Sequence, residues 1–397
     1  MKRIFFLVLV ALLLAPATGL FALSDEVAQI SNIDKVVDSK KPKEATVSVI
    51  RNSRTLPDSD VDFGLAIQNF DQIKTGANST VEIQTNPKTG IAATITIKPN
   101  TVMTVDITSL KGNQSGGINL LSGAVSLKVQ KMSGNNKLDV RTGSAVMGVR
   151  GTQFEVNIAV TGDVLLSTSE GRVECTTDNG KTLYSAPGSV IQGTIDGEWS
   201  AIPVAVDKLE DFRRKWHTGR IDAFRADPGR ATSQFAKRYL DLKDRFVAAF
   251  ADLMANRDLL QKWIEEDFAG NTGDAKQVII EKKKVLSSLV KLRKINVMFE
   301  RVYLRLVQLD ELYAQGIAPT GTIAGTKMTV AAFYKQFRAE RADLAQKFLD
   351  TQYVTKLYAK RNGGDFPLDE ASSAELTKES DFFGADSAAT TEESFFK

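Results

Sequence analysis

The stretch 146–175, VMGVRGTQFEVNIAVTGDVLLSTSEGRVEC, constrains the fold of this chain more than any other. Three short strands can be laid on it. Residues 153–160 alternate, with Phe154, Val156 and Ile158 on one face and Gln153, Glu155 and Asn157 on the other. The turn Thr161-Gly162-Asp163 leads to a second strand over 164–167, and Gly171 opens a third over 173–175. Gly148 and Gly151 flank Arg150 and suit a bulge or a tight corner, where a side chain would collide. On physical grounds this is a half-buried β unit with no chemistry of its own.

The same texture begins at Thr46. Apolar residues recur at period two or in short runs over 47–50, 66–73, 80–83, 91–97, 103–107, 118–121, 124–129 and 138–140, with Gly, Pro and Asn turns between them. Leu121-Ser122-Gly123-Ala124-Val125 matches Ser169-Glu170-Gly171-Arg172-Val173 at an offset of 48 residues. A repeat of strand, glycine corner and strand fits a coil of β turns, each rung buried only by its neighbours. Short strands at this spacing also fit a sandwich.

The wording of the central stretch resembles the FecR domain, whose signature pairs a V-R-G-T-x-F-x-V strand with a later E-G-x-V strand. Here the matching residues are Val149, Arg150, Gly151, Thr152, Phe154 and Val156, then Glu170, Gly171 and Val173. The resemblance covers about residues 46–202 and implies a twisted, solenoid-like β domain. It also implies a role in signalling, since the best-known members relay receptor occupancy across the inner membrane to a sigma factor. Arg150, between two glycines, is expected to pin carbonyls or meet a partner. Only Met1-Lys2-Arg3 precede the first apolar run, so the family's cytoplasmic anti-sigma segment is not expected here.

That first run, 4–14, followed by Ala15, Ala17 and Gly19, has the layout of a signal peptide over 1–22. The expected mature protein is extracytoplasmic, periplasmic or secreted, and no later segment has the roughly 20 apolar residues that span a bilayer. Composition agrees with a globular chain: 43% apolar, 25% charged and a net charge of +3, too small to point to nucleic acid. Cys175 stands alone, so no intrachain disulfide forms, and a single His217 removes most metal and acid–base schemes.

After a polar lead-in at 23–45 and the β domain at 46–204, the texture turns helical over 205–361. Asp207-Lys208-Leu209-Glu210 reads as a capping box. Helical stripes follow over 209–221, 230–268, 274–314 and 329–359, which predicts an elongated bundle or hairpin. The fold class is therefore α+β multidomain, closed by an acidic tail at 362–397 with two basic against nine acidic residues, a composition that favours disorder.

No constellation for catalysis emerges, and neither a cofactor nor a metal is expected. Asp58, Asp60 and Asp62 lack the later ligands of a calcium loop, and Glu265-Glu266-Asp267 point apart on a helix. Two binding features stand out. Lys282, Lys283, Lys284, Lys291, Arg293 and Lys294 concentrate positive charge, which suits either a solvated helix face or a patch for an anionic partner. Phe382, Phe383, Phe395 and Phe396 sit as pairs in the acidic tail, where they are candidate docking residues. The expected function is non-enzymatic: an exported protein whose β domain binds an envelope component or protein partner, with the helices mediating assembly and homo-oligomers. The alternative is a membrane-anchored sensor acting through a separate membrane partner.

Overall fold

The computed structural model describes residues 26–36, 46–107, 115–132, 137–194, 197–317 and 320–364. The expected signal segment 1–22 and the tail phenylalanines Phe382, Phe383, Phe395 and Phe396 lie outside the described residues. Seventeen strands come first among them: β1 (Glu26–Lys35), β2 (Val47–Arg51), β3 (Arg54–Thr55), β4 (Ala66–Gln68), β5 (Gln72–Thr75), β6 (Ser79–Thr85), β7 (Ala93–Ile97), β8 (Val102–Asp106) and β9 (Ser115–Val129). They continue with β10 (Lys137–Arg141), β11 (Ala145–Val149), β12 (Gln153–Ile158), β13 (Val164–Glu170), β14 (Val173–Thr177), β15 (Thr182–Ser185), β16 (Ser189–Gly193) and β17 (Trp199–Pro203).

Alternation along strands such as β6, β7 and β12 forces two layers, because each has one apolar face to bury. The first layer runs β4-β1-β6-β7-β9-β12-β13-β16-β17. The second runs β3-β2-β5-β8-β9-β10-β11-β14-β15. All pairs are antiparallel except β9 with β10. Ile83, Ile95, Leu127 and Val156 from one layer meet Ile73, Met103, Ile118 and Met147 from the other, all at most 1% exposed. Burial of each such side chain contributes about 1.5–3 kcal/mol.

The long strand β9 belongs to both layers. Its residues up to Ser122 pair with β8, and from Gly123 onward they pair with β12. The second copy of the repeat does a similar job, because Gly171 carries the chain from β13 in one layer to β14 in the other. The 48-residue repeat therefore marks two crossings between layers.

The strands depart from the sequence expectation in two places. The lead-in at 23–45 contributes β1, which pairs with both β4 and β6. Register shifts between Glu26 and Ala28 and between Ile30 and Asn32 break its alternation, so no period of two shows in the sequence. The run 66–73 is two strands, split by Phe70 at φ 67° and by a turn in which the Asp71 amide donates to the Gln68 carbonyl.

Five helices follow: α1 (Leu209–Ala226), α2 (Pro228–Met254), α3 (Arg257–Phe268), α4 (Ala275–Ala314) and α5 (Val330–Arg361). Asp274 starts the longest by accepting the amides of Lys276 and Gln277, and Thr329 starts α5 by accepting that of Ala332. Asp227, with Pro228 at the first helical position, starts α2 in the same way. The capping box read at Asp207 does not form. Residues 206–208 make a 3-10 turn, and Lys208 stands at the cap without a side-chain bond.

Helix α4 is the axis of the bundle, with α2 and α5 packed along it and α3 against α5. Its centre is aromatic: Phe246, Phe299 and Phe348 form a triangle of rings with centroids 4.9–5.3 Å apart. Tyr239 stands edge-on to Phe333 and Phe337 beside them.

Helices also close on the outer faces of the β layers. Trp216 and Leu209 of α1 pack with Leu165 and Val190 of β13 and β16, and the Trp216 indole donates to Gln192 at 3.0 Å. On the other layer, α4 lies over β9. At the near edge, Lys356 of α5 donates to Asn52 and Gln68 at 2.9 and 3.0 Å, and Ser53 donates to Asp350.

Candidate functional site

Of the two glycines expected at a tight corner, Gly151 stands at one and Gly148 does not, and the residues of the signature divide by role. Val149, Phe154 and Val173 are core residues, each at most 1% exposed. Gly151 takes φ 130° and Gly171 φ 78°, backbone conformations that side chains rarely adopt. Space reinforces the choice. A Cβ on Gly171 would sit 2.9 Å from the Gly151 carbonyl oxygen and 2.7 Å from the Thr152 methyl, and one on Gly151 would sit 2.7 Å from the Lys131 Cα. Gly148 differs, since a Cβ there would make only an ordinary contact of 3.5 Å with Asp139.

The two halves of the signature thus meet at one corner, where the chain leaves β11 for β12 and β13 for β14. Met132 donates its amide to the Arg150 carbonyl, and Val129 donates to that of Thr152. The Arg150 and Glu170 side chains are exposed, and Thr152 is buried with its hydroxyl unpartnered.

The basic residues of α4 do not converge. Successive residues on a helix turn by about 100°, and their contacts diverge accordingly. Lys282 donates to Asn362 at 2.7 Å, Lys291 pairs with Asp252 of α2 at 2.9 Å, and Arg293 reaches the Phe70 ring at 6.0 Å. Lys283, Lys284 and Lys294 are exposed.

A different group of cations is brought together where the bundle meets the β unit. There a cavity of about 380 Å³ opens between β9, the β10–β11 turn, the β12–β13 turn, α2 and α4. Arg238 of α2 and Arg301 and Arg305 of α4 line it, against a single acid, Asp178. Phe235, Leu242, Met298 and Val302 supply an apolar wall. Arg305 is 4% exposed and donates to Gln308 and, at 3.5 Å, to the Leu121 carbonyl. The Nε of Arg301 is buried without a hydrogen-bond partner. Burial pulls both guanidinium groups down to about 10, so both stay charged at neutral pH, and nearby Arg141 adds to the effect on Arg301 while Glu300 opposes it.

Glu300 lies one residue away, over β5 and β9. Its carboxylate accepts from Gln72 at 3.1 Å and from Asn296 at 3.4 Å. Burial pushes this acid up to about 7, against the lowering effects of the Gln72 bond and of Arg301 and Arg293.

Sequence reading missed these arginines because they interrupt an apolar stripe that remains recognisable without them. The available signal is spacing: Arg301 and Arg305 stand at i and i+4 beside Val302 and Leu306, on a face that a helix buries.

His217 is exposed on α1, away from the cavity lining, and the Cys175 thiol is buried in the β core and pushed up to about 12. No group of three or more metal-ligating side chains occurs among the described residues, and no helix among them is long and apolar enough to cross a membrane.

No curated protein matches this chain. Among solved structures, two crystal structures of a candidate anti-sigma factor from Parabacteroides distasonis, at 1.65 and 2.50 Å, are similar at 16% identity and a TM-score of 0.30. The alignments cover 36% and 35% of this chain, and span 63% and 62% of the length of those chains. The FecR protein family matches residues 71–174, from the start of β5 into β14. The β unit of this chain carries a FecR domain.

Proposed function

We propose that the chain is an exported, non-enzymatic FecR-domain protein that binds an envelope component or a protein partner, with its helical unit mediating assembly. The FecR match at 71–174 carries this reading. It falls on a unit whose signature phrase is used for packing and for backbone turns, with Gly151 and Gly171 at the corner and Val149, Phe154 and Val173 in the core. Arg150 and Glu170 are the members of that phrase left exposed for a partner. The charged start and apolar run of the sequence support export. Alternation of strand pairs between two layers supports a solenoid-like description of the domain.

A second reading, favoured by the same family match, is a periplasmic signal-transduction component that keeps an N-terminal anchor and acts through a membrane partner. Fractionation of native cells with intact-mass measurement separates the two. A chain that lacks its first 17–22 residues and is released with the extracytoplasmic fraction is the expected result. Retention of Met1 in the membrane fraction selects the anchored sensor, and recovery of the full chain from the cytoplasm overturns both.

A further inference from the structure

A guanidinium in a protein interior normally faces a carboxylate, because desolvating an unpaired charge is costly. Arg51 and Arg361 follow that rule here, with Asp71 and Glu266 at 2.6 and 2.7 Å. Arg305 departs from it, and Arg301 has Glu300 nearby but no carboxylate hydrogen-bonded to it. Arg305 is held by a side-chain amide and a backbone carbonyl, both neutral acceptors, and Arg301 has an orphaned Nε. Both side chains line the same cavity, joined by Arg238 and opposed by Asp178 alone. The lining therefore carries three positive charges against one negative. Its other wall, Phe235, Leu242, Met298 and Val302, offers no polar side-chain atom.

We propose that this interdomain cavity binds a small amphiphilic anion, a carboxylate or phosphate ester on an apolar body, with its head between Arg301 and Arg305. Forked N–H donors match either oxyanion. A volume of about 380 Å³ lies at the lower end of small-molecule sites and limits the guest to a short chain or a single ring system. Because α2 and α4 form one side and the β unit the other, an occupant would bridge the two units. The proposal does not depend on where the chain resides or on what meets the FecR signature.

The test is isothermal titration of the full chain with octanoate, octyl phosphate and neutral 1-octanol as probes. Saturable binding of at least one anion at one site is expected, with octanol weaker by roughly tenfold or more, the worth of one charge-assisted bond. The double variant Arg301→Met and Arg305→Met should lose at least that factor. Without a probe it should melt no lower than the native chain, since an unpaired buried charge has been removed. Should the double variant not fold, Met298→Trp fills the apolar end, keeps both arginines and should also abolish binding. Equal binding of octanol and octanoate, undiminished binding by these variants, or no saturable binding of either anion overturns the proposal.

Discussion

Glu300 gives the most quantitative handle on how the two units are joined. Its carboxylate is packed between α4 and the β layer, and burial raises it from an ordinary 4.5 to about 7. The folded protein thus holds this proton more tightly than the unfolded chain does. Below about pH 4.5 the group is protonated in both states and costs nothing. Between 4.5 and 7 the unfolded chain releases its proton first, so stability falls as pH rises, and above 7 the full cost is in place. The separation of the two values corresponds to a ceiling of about 3 kcal/mol. Glu300→Gln removes the titration while preserving shape and an acceptor for Gln72, which donates at 3.1 Å. Urea denaturation of both proteins at pH 4.5, 6 and 8 should show near-equal stability at the acid end. At pH 8 the variant should be more stable by about 1–3 kcal/mol. Subtracting the two curves cancels the other titrating groups. A difference that is flat with pH, or a variant less stable at pH 8, would refute the reasoning. The second outcome would mean that Glu300 is ionised and held by Arg301 and Arg293.

Three further outcomes follow from packing and backbone geometry. Phe299→Ala, at the centre of the ring triangle with Phe246 and Phe348, should cost about 3–5 kcal/mol in a denaturation curve. Gly171→Ala should lower stability by at least about 1–2 kcal/mol from backbone strain, with more from the 2.7 Å contact to Thr152, whereas Gly148→Ala should be nearly neutral; paired thermal melts read the contrast. Trp216→Ala should cost about 3 kcal/mol and deprotect α1 in hydrogen exchange, and a chain ending at Val204 should self-associate in light scattering because Leu165 and Val190 lose their cover.

What could be read in the sequence, and what could not, divides along one physical line. Local rules report a strand or helix when its own period is intact. Strands β12 and β14 keep theirs, so Phe154, Val156 and Val173 point inward as their spacing demands. Strand β1 buries Val27, Ala28 and Ile30 but shifts register twice, and the shifts erase the pattern. Between α2 and α3 the reverse holds. The buried positions Leu253, Leu260 and Trp263 continue at helical spacing across the break, so the turn at Ala255 and Asn256 leaves no trace in periodicity. The same limit makes the basic run of α4 conspicuous in the sequence and leaves Arg301 and Arg305 inconspicuous. Charge density along a chain is visible in one dimension, but convergence of charges from two helices is not. Lys282, Lys283 and Lys284 are adjacent in sequence and diverge in space, whereas Arg238 and Arg301 are 63 positions apart and line one cavity. A buried cation is a feature of the tertiary fold, and only the contacts around Arg301 and Arg305 show that their hydrogen-bond acceptors are neutral or missing.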